Sequence, residues 1–118
     1  VGRVSDEELV LHYQAARVLA AASSSEGWGM TITEAAACGT PAVASDIVGH
    51  RDAIGPDAGL LAADDEGLAD GLARLLTDDS AWSLASAAAL EAADRLSWDA
   101  SAATLLDLLA SDARRRRG

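Results

Sequence analysis

The amino-acid sequence predicts an α/β fold, in which a partial Rossmann-like parallel sheet of three to four strands is flanked by helices. Two observations predict it: short uncharged apolar runs alternate with segments of helical periodicity, and glycine or proline closes several of these segments. Hydrophobic residues make up 50% of the 118 positions. Because a chain of this length buries roughly two-thirds of the surface that its unfolded form exposes, one domain is expected.

The first half of the chain is predicted to contain two helices, each followed by a strand. Ser5 and Glu8 have the spacing of a capping box ahead of an apolar stripe, and Gly39 with Pro41 just beyond it ends the second helix. The uncharged run after Arg17 is typical of a buried parallel strand. The predicted elements are a helix over residues 6–16, a strand over 18–22, a helix over 31–38 and a strand over 41–45.

The second half is predicted to be mainly helical. The sequence Gly55-Pro56-Asp57 is a turn signal, and leucines recur at helical spacing from Asp64 onward, with a break near Asp78. The predicted elements are a short helix over residues 48–54, a strand over 59–62 and helices to the end. Residues 1–4 are the candidate for a fourth strand, so the sheet is expected to have three or four. Since doubly wound nucleotide-binding domains usually hold five or six strands, we expect a further strand–helix unit before Val1.

Charge separates a domain over residues 1–113, truncated on its amino-terminal side, from a basic tail over residues 114–118. The formal net charge is −10, although four arginines follow one another from Arg114 to Arg117. So acidic a body argues against nucleic acid as a partner, because phosphate contacts need a clustered basic face. Two interpretations of the tail stay open, a weak contact with an anionic membrane surface and a solvated terminus.

The remaining composition favours a cytoplasmic protein without a cofactor. Cys38 is the only cysteine and therefore cannot form an internal disulfide. No charged segment followed by an apolar one opens the chain, and no apolar stretch reaches the roughly 18 residues of a membrane span. His12 and His50 lack the spacing of metal ligands or of a nucleophile's partner, so no metal is expected.

The stretch that carries chemistry is SSEGWGMTITEAAACGTPAVASD, residues 24–46. Its first part follows a predicted strand and precedes a predicted helix, the position at which parallel sheets bind ligands. Gly27 and Gly29 allow the backbone to approach a ligand closely, and the first amides of the helix, near Met30 and Thr31, have no partner within the helix. This arrangement predicts an anion site, with phosphate as the obvious anion.

Two carboxylates beside a phosphate site need a separate reason, because their charge repels phosphate. Carboxylates accept hydrogen bonds from hydroxyl groups, and a charge-assisted bond of this kind contributes roughly 1.5 to 3 kcal/mol. Glu26 in the loop and Glu34 inside the helix are expected on opposite sides of the phosphate site. A ligand with hydroxyls at both ends and phosphates between them fits, and sugar nucleotides have that constitution.

Glu26 and Glu34 are separated by seven residues, and ordered landmarks surround them. The landmarks are Gly2-Arg3-Val4-Ser5, Gly27-Trp28-Gly29-Met30, Cys38-Gly39-Thr40-Pro41, Ser45-Asp46 with Gly49, Gly59-Leu60-Leu61, and Leu96-Ser97-Trp98. In this order they resemble the carboxyl-terminal, donor-binding domain of retaining GT-B glycosyltransferases of the glycosyl transferases group 1 type. The chain departs from that pattern at Thr31, where proline is frequent, and at Asp52, where glutamate is frequent.

The resemblance implies a role for each residue of the motif. Glu26 is the catalytic-site residue and holds hydroxyls of the transferred sugar, with the amides of residues 27–30, which include Gly27, Trp28, Gly29 and Met30. Glu34 binds the ribose, Thr31 and the helix start face the diphosphate, and the backbone around Val4 edges the base. Enzymes of this type need no metal, because helix amides and basic side chains stabilise the departing diphosphate.

The resemblance also implies partners that this sequence does not contain. The family's phosphate-binding arginine and lysine precede the segment corresponding to Val1, and its acceptor side belongs to an amino-terminal GT-B domain. We therefore expect the chain to be the nucleotide-sugar-binding part of a hexosyltransferase and to show no turnover by itself. The alternative is a non-enzymatic α/β module that forms homo-oligomers through an exposed sheet edge.

Local alternatives stay open for three kinds of residue. Thr31 and Glu34 also have capping-box spacing, which would make Glu34 a helix cap. Trp28 is interpreted mainly as a core anchor that props the loop. Trp82 and Trp98 are interpreted as packing residues.

Overall fold

Helices and parallel strands alternate along residues 2–117, the part of the chain that the computed structural model describes, without the Arg117 side chain. The helices are Asp6–Ala15 (α1), Met30–Ala37 (α2), Val48–Ala53 (α3), Asp65–Thr77 (α4), Asp79–Asp94 (α5) and Trp98–Arg117 (α6). The strands are Leu19–Ala21 (β1), Ala42–Ser45 (β2) and Gly59–Ala62 (β3). The α/β prediction is confirmed, and apart from a fourth strand the predicted elements lie within a few residues of the observed ones.

The strands form one parallel sheet in the order β1-β2-β3. Ala42 pairs with Leu19 on one side and with Gly59 on the other, so β2 is central and the other two strands are outer. The predicted fourth strand is absent from residues 2–4. Gly2 has a φ of +75°, a left-handed backbone that an extended strand does not allow, and Val1 lies outside the described residues.

Both faces of the sheet are covered, as alternating β2 side chains require. Ala42 and Ala44 belong to a buried cluster with α2 and α3, which includes Ile32. Val43, between them, belongs to a second cluster with Leu75 of α4. Helix α5 contributes residues to both clusters and is therefore part of the core on either side of the sheet.

The start of β1 is tied to the junction of α4 and α5. Arg17 donates from its Nε to the Leu75 carbonyl at 2.9 Å and pairs with Asp79. Its guanidinium also lies 5.2 Å from the centre of the Trp82 ring, within the range of a cation–π contact, and Trp82 donates through Nε1 to the Arg17 carbonyl at 2.7 Å. The prediction that Trp82 is a packing residue is confirmed.

Helix α6 carries an exposed apolar surface. Trp98 is 92% exposed, and Leu105, Leu106, Leu108 and Leu109 are each more than half exposed. The prediction that Trp98 is a packing residue is therefore wrong for this chain, because the described residues leave its ring uncovered. The arginines of the predicted basic tail continue α6 as its last turn. Within residues 2–117, no helix combines the length and the apolar character that crossing a membrane would require.

Candidate functional site

The glycine loop, residues 23–29, joins the carboxyl end of β1 to the start of α2. Gly29 is the N-cap of α2 with a φ of 83°, and no side chain caps the helix. A residue with a side chain is strained in this left-handed conformation, whereas glycine adopts it freely. Met30 and Thr31, the first two residues of α2, are exposed. Because the first amides of a helix have no partner within it, the loop and the helix start present backbone donors to solvent.

The underside of the loop packs on α3. A Cβ atom added to Gly49 would lie 2.5 Å from the Glu26 carbonyl oxygen and 3.1 Å from the Gly27 carbonyl carbon. A Cβ added to Gly29 would lie 3.2 Å from Cδ2 of His50. The loop is thus held by direct contact with α3, with no space between the two segments for a methyl group at residue 49.

His50 supports the loop from below, a role that the sequence did not indicate. Its side chain is 1% exposed, and its Nδ1 lies 2.9 Å from the Ser45 carbonyl oxygen. Since a carbonyl can only accept, Nδ1 carries the proton in this contact. Ser45 in turn donates from Oγ to the Ser23 carbonyl at 2.5 Å. The chain of bonds runs from α3 through the end of β2 to the first residue of the glycine loop.

Glu26 projects from the exposed side of the loop. Its Oε1 accepts a hydrogen bond from Oγ of Ser23 at 2.8 Å, and the residue is exposed. Gly27 next to it has open space where a Cβ would be. The loop therefore presents a carboxylate beside accessible backbone, the combination that was predicted for contact with a hydroxylated ligand.

Glu34 is held from α1 and does not cap α2. Its Oε2 accepts from the Tyr13 hydroxyl at 2.9 Å. Because Gly29 is the N-cap, Glu34 is the fifth residue of α2, whereas a capping box needs its carboxylate at the third. The capping interpretation of Thr31 and Glu34 is therefore wrong. Helix α2 begins between the two glutamates, as predicted.

The Tyr13–Glu34 contact changes the acidity of the phenol. Burial, followed by the hydrogen bond to Glu34 and the charge of that carboxylate, raises the pKa of Tyr13 to about 12. Cys38, which follows the last residue of α2, adds to the shift. The hydroxyl therefore stays protonated to a higher pH than a free phenol, and it acts as the donor in this contact.

We expect the free energy of unfolding to fall between about pH 10 and about pH 12. The pKa of Tyr13 is about 12 in the folded state and 10.0 in the unfolded state. A group with a raised folded pKa stabilises the fold fully below its unfolded pKa, and this contribution is lost as the pH rises through its folded pKa. Urea unfolding of the wild type and of Tyr13→Phe across this window measures it. The variant lacks the titrating group, so its stability should fall less steeply; parallel curves would contradict the assignment.

The other predicted ligand residues lie around the same loop or ahead of α1. Met30 is 63% exposed, and Trp28 is 37% exposed and outside both core clusters. Trp28 is therefore not the core anchor that was predicted, since it packs in neither core cluster and more than a third of the residue is exposed. Val4 is half-buried just before the capping box of α1, in which Ser5 Oγ accepts from the Glu8 amide at 3.2 Å.

A charged pair follows β2 at the same edge of the sheet. Arg51 donates from Nε to Oδ1 of Asp46 at 2.5 Å. This hydrogen bond, reinforced by the guanidinium charge, lowers the pKa of Asp46 below its ordinary value and raises that of Arg51. Arg51 thus brings a positive charge to α3, beside the segment on which the glycine loop rests.

A separate cleft lies elsewhere on the described part of the chain. It has a volume of about 600 Å³ and is lined by Gly59 at the start of β3 and by residues of α4 and α5, among them Arg74, Leu84 and Glu91. No residue of the glycine loop lines it. The geometry around the two glutamates carries more weight, because ligands of parallel sheets bind at the carboxyl ends of strands. The candidate site is therefore assigned to the exposed residues of the glycine loop and the start of α2.

Metal-ligating side chains are not clustered in residues 2–117: no three of His, Cys, Asp or Glu lie close enough together to hold an ion. The expectation that the site works without a metal stays a prediction.

Comparison with known proteins identifies the family. The model of the family Glycosyl transferases group 1 matches residues 1–96. The chain is 40% identical over 107 residues to a D-inositol 3-phosphate glycosyltransferase from Xylanimonas cellulosilytica, covering 88% of this chain and 26% of that protein. It is 38% identical over 101 residues to O-antigen chain mannosyltransferase B from Escherichia coli, covering 84% and 26%. The chain spans about a quarter of the length of these relatives.

A solved structure supports the same assignment. Sucrose-phosphate synthase from Thermosynechococcus elongatus superposes with a TM-score of 0.79 at 32% identity, over 94% of this chain and 29% of that one. The fold is that of a GT-B glycosyltransferase fragment. The chain belongs to the glycosyl transferases group 1 family.

Proposed function

We propose that the chain is the donor-binding part of a retaining glycosyltransferase, which transfers a hexose-type sugar from a nucleoside diphosphate sugar to an acceptor. Family membership supports transferase chemistry. The observation that carries the donor assignment is the start of α2, whose uncapped end lies between a carboxylate on the glycine loop and a carboxylate inside the helix.

The proposed roles follow the order of groups in the ligand. The diphosphate lies against Thr31 and the start of α2, where the helix dipole favours negative charge. The transferred sugar lies over the glycine loop, with its hydroxyls on Glu26. The ribose lies on Glu34, and the base lies toward Val4 at the start of α1.

The proposal assigns to this chain one half of a catalytic centre. The amides at the helix start stabilise the departing diphosphate as charge develops on it, in the manner of an oxyanion hole, and no metal is needed for that step. The acceptor and the remaining phosphate contacts belong to an amino-terminal GT-B domain. The chain alone therefore binds donor weakly and does not turn over, and its compartment is the cytoplasm, where Cys38 stays reduced.

Calorimetry with UDP-, GDP- and ADP-sugars tests this proposal. We expect one base to be preferred, and Glu26→Ala and Glu34→Ala each to weaken binding by roughly tenfold or more, because each removes a charge-assisted hydrogen bond to a hydroxyl. Glu66→Ala, in the exposed first turn of α4, is the matched control and should leave the affinity unchanged. Equal losses in all three variants would contradict the assigned roles.

The alternative is a module that self-associates through β1. This strand is an outer strand of the sheet, and Ala20 at its centre is exposed, so its edge is available for pairing with another strand. Sedimentation of the same samples distinguishes the two functions. A concentration-dependent dimer that binds none of the three nucleotide sugars would favour the alternative.

A further inference from the structure

Tyr13 lies on α1, outside the glycine loop and α2, and it contacts the candidate site through Glu34. Its hydroxyl donates to Oε2 of Glu34 across 21 positions of sequence at 2.9 Å. Both side chains are half-buried, so solvent competes less with this bond than with one on the open surface. Tyr13 is not among the residues that the donor assignment uses.

The backbone that carries Tyr13 is fixed independently of this contact. Thr40, which is 2% exposed, donates from Oγ1 to the Tyr13 carbonyl at 2.6 Å. Thr40 also donates its amide to the Ala35 carbonyl of α2 at 2.9 Å. Helix α1 is therefore docked on the end of α2, and the phenol ring reaches Glu34 from a fixed base.

A glutamate side chain has three rotatable bonds, and holding one carboxylate oxygen restricts the orientation of the other. Oε1 of Glu34 has no donor among residues 2–117 and remains available to a ligand. We infer that Tyr13 is a positioning residue, which fixes the Glu34 carboxylate so that its second oxygen accepts from the ribose diol of the donor. This inference rests on the proposed function.

The placement of α1 fits that arrangement. Residue 4, assigned to the base, immediately precedes the capping box of α1, and Tyr13 lies near the other end of the same helix. The proposed base contact therefore lies just ahead of α1, and the group that orients the ribose contact lies on α1 itself. Because the phenol donates and Oε2 of Glu34 accepts, the contact determines which oxygen of the carboxylate is already engaged.

The test compares ribose with a sugar that lacks its hydroxyls. Ligand-observed NMR at millimolar concentration measures binding of UDP, GDP and ADP, and of their 2′,3′-dideoxy analogues, to the 118-residue chain. We expect the wild type to bind one of the three nucleoside diphosphates more tightly than the dideoxy analogue of that nucleotide. Tyr13→Phe keeps the ring and should weaken the binding of that ribonucleotide by about threefold to tenfold. The binding of the dideoxy analogue should not change. Gln14 is exposed on α1, so Gln14→Ala should change the binding of neither ligand.

A second measurement follows the contact itself without a ligand. The chain has a single tyrosine, so absorbance of tyrosinate reports Tyr13 alone. Its pKa should be about 12 in the wild type and should fall part of the way toward 10.0 in Glu34→Gln, because burial still raises it. Glu66→Gln should leave it unchanged, and circular dichroism establishes the pH range over which each variant stays folded.

The outcomes separate the inference from the proposed function. If the wild type binds no nucleoside diphosphate, the proposed function fails and this inference fails with it. If the wild type prefers ribose and Tyr13→Phe keeps the full preference, the inference is overturned while donor binding stands. If the tyrosine pKa is the same in Glu34→Gln, Tyr13 does not hold Glu34, and the inference is overturned whatever the binding data show.

Discussion

Replacing Gly49 with alanine is expected to displace the glycine loop and to remove most of the donor affinity. The new methyl group would lie 2.5 Å from the Glu26 carbonyl oxygen, and the next contacts are also backbone atoms of residues 26 and 27. Backbone cannot rotate away as the end of a flexible side chain can, so either the loop or α3 must move. Overpacking of this kind typically costs about 1 to 3 kcal/mol of stability.

The substitution should weaken donor binding as well as folding. A displacement of the Glu26 backbone misplaces both its carboxylate and the neighbouring amides, which the proposed donor contacts use together. We expect the affinity for the preferred nucleotide sugar to fall by about tenfold or more, equivalent to about 1.4 kcal/mol. Calorimetry gives the affinity, and urea unfolding gives the stability of the same samples.

Gly27→Ala is the matched control for the steric argument. A Cβ at this position meets nothing within 4 Å, so the free energy of unfolding should stay within about 0.5 kcal/mol of the wild-type value. If Gly49→Ala were as stable as Gly27→Ala and bound donor normally, the loop would not rest on α3 as described.

Local signals in the sequence were sufficient for every observed helix and strand, although they also suggested a fourth strand that residues 2–4 do not form. The break near Asp78 was predicted from the leucine pattern, and Asp78 indeed ends α4 and caps α5 by accepting from the Ala81 amide at 2.9 Å. The end of α2 followed from Gly39, whose φ of +77° suits the residue after a helix. Such signals act over three or four residues, so they are visible without knowledge of the fold.

The misses share a physical cause, because each depends on contacts between distant segments. Glu34 had the spacing of a cap, but its actual partner is Tyr13 on another helix. Trp28 and Trp98 were expected to pack because they are large and apolar, yet residue type does not say what will cover a ring. The position of the two glutamates around a helix start could be predicted, since the order of strand, loop and helix fixes it.

The contacts of His50 also join distant segments, so the sequence did not indicate that His50 supports the loop. Replacement of His50 by alanine is the second prediction with a large expected effect. His50→Ala removes a side chain that is 1% exposed, leaves the Ser45 carbonyl without its 2.9 Å donor and empties the space against Gly29. Cavity formation and the loss of a buried hydrogen bond together should lower the free energy of unfolding by about 2 to 4 kcal/mol. For a domain of this size the midpoint of thermal unfolding should then fall by about 10 °C.

Two variants separate the causes of that loss. His12→Ala removes the other histidine, which is exposed on α1, and should change stability by less than about 0.5 kcal/mol. His50→Asn keeps a donor close to the position of Nδ1 and should recover part of the stability, because the Ser45 carbonyl is then paired again. Thermal unfolding of the three variants measures how much of the stability loss the restored donor recovers. If His50→Ala were as stable as His12→Ala, the bonds from α3 through Ser45 to the glycine loop would contribute nothing to holding the site.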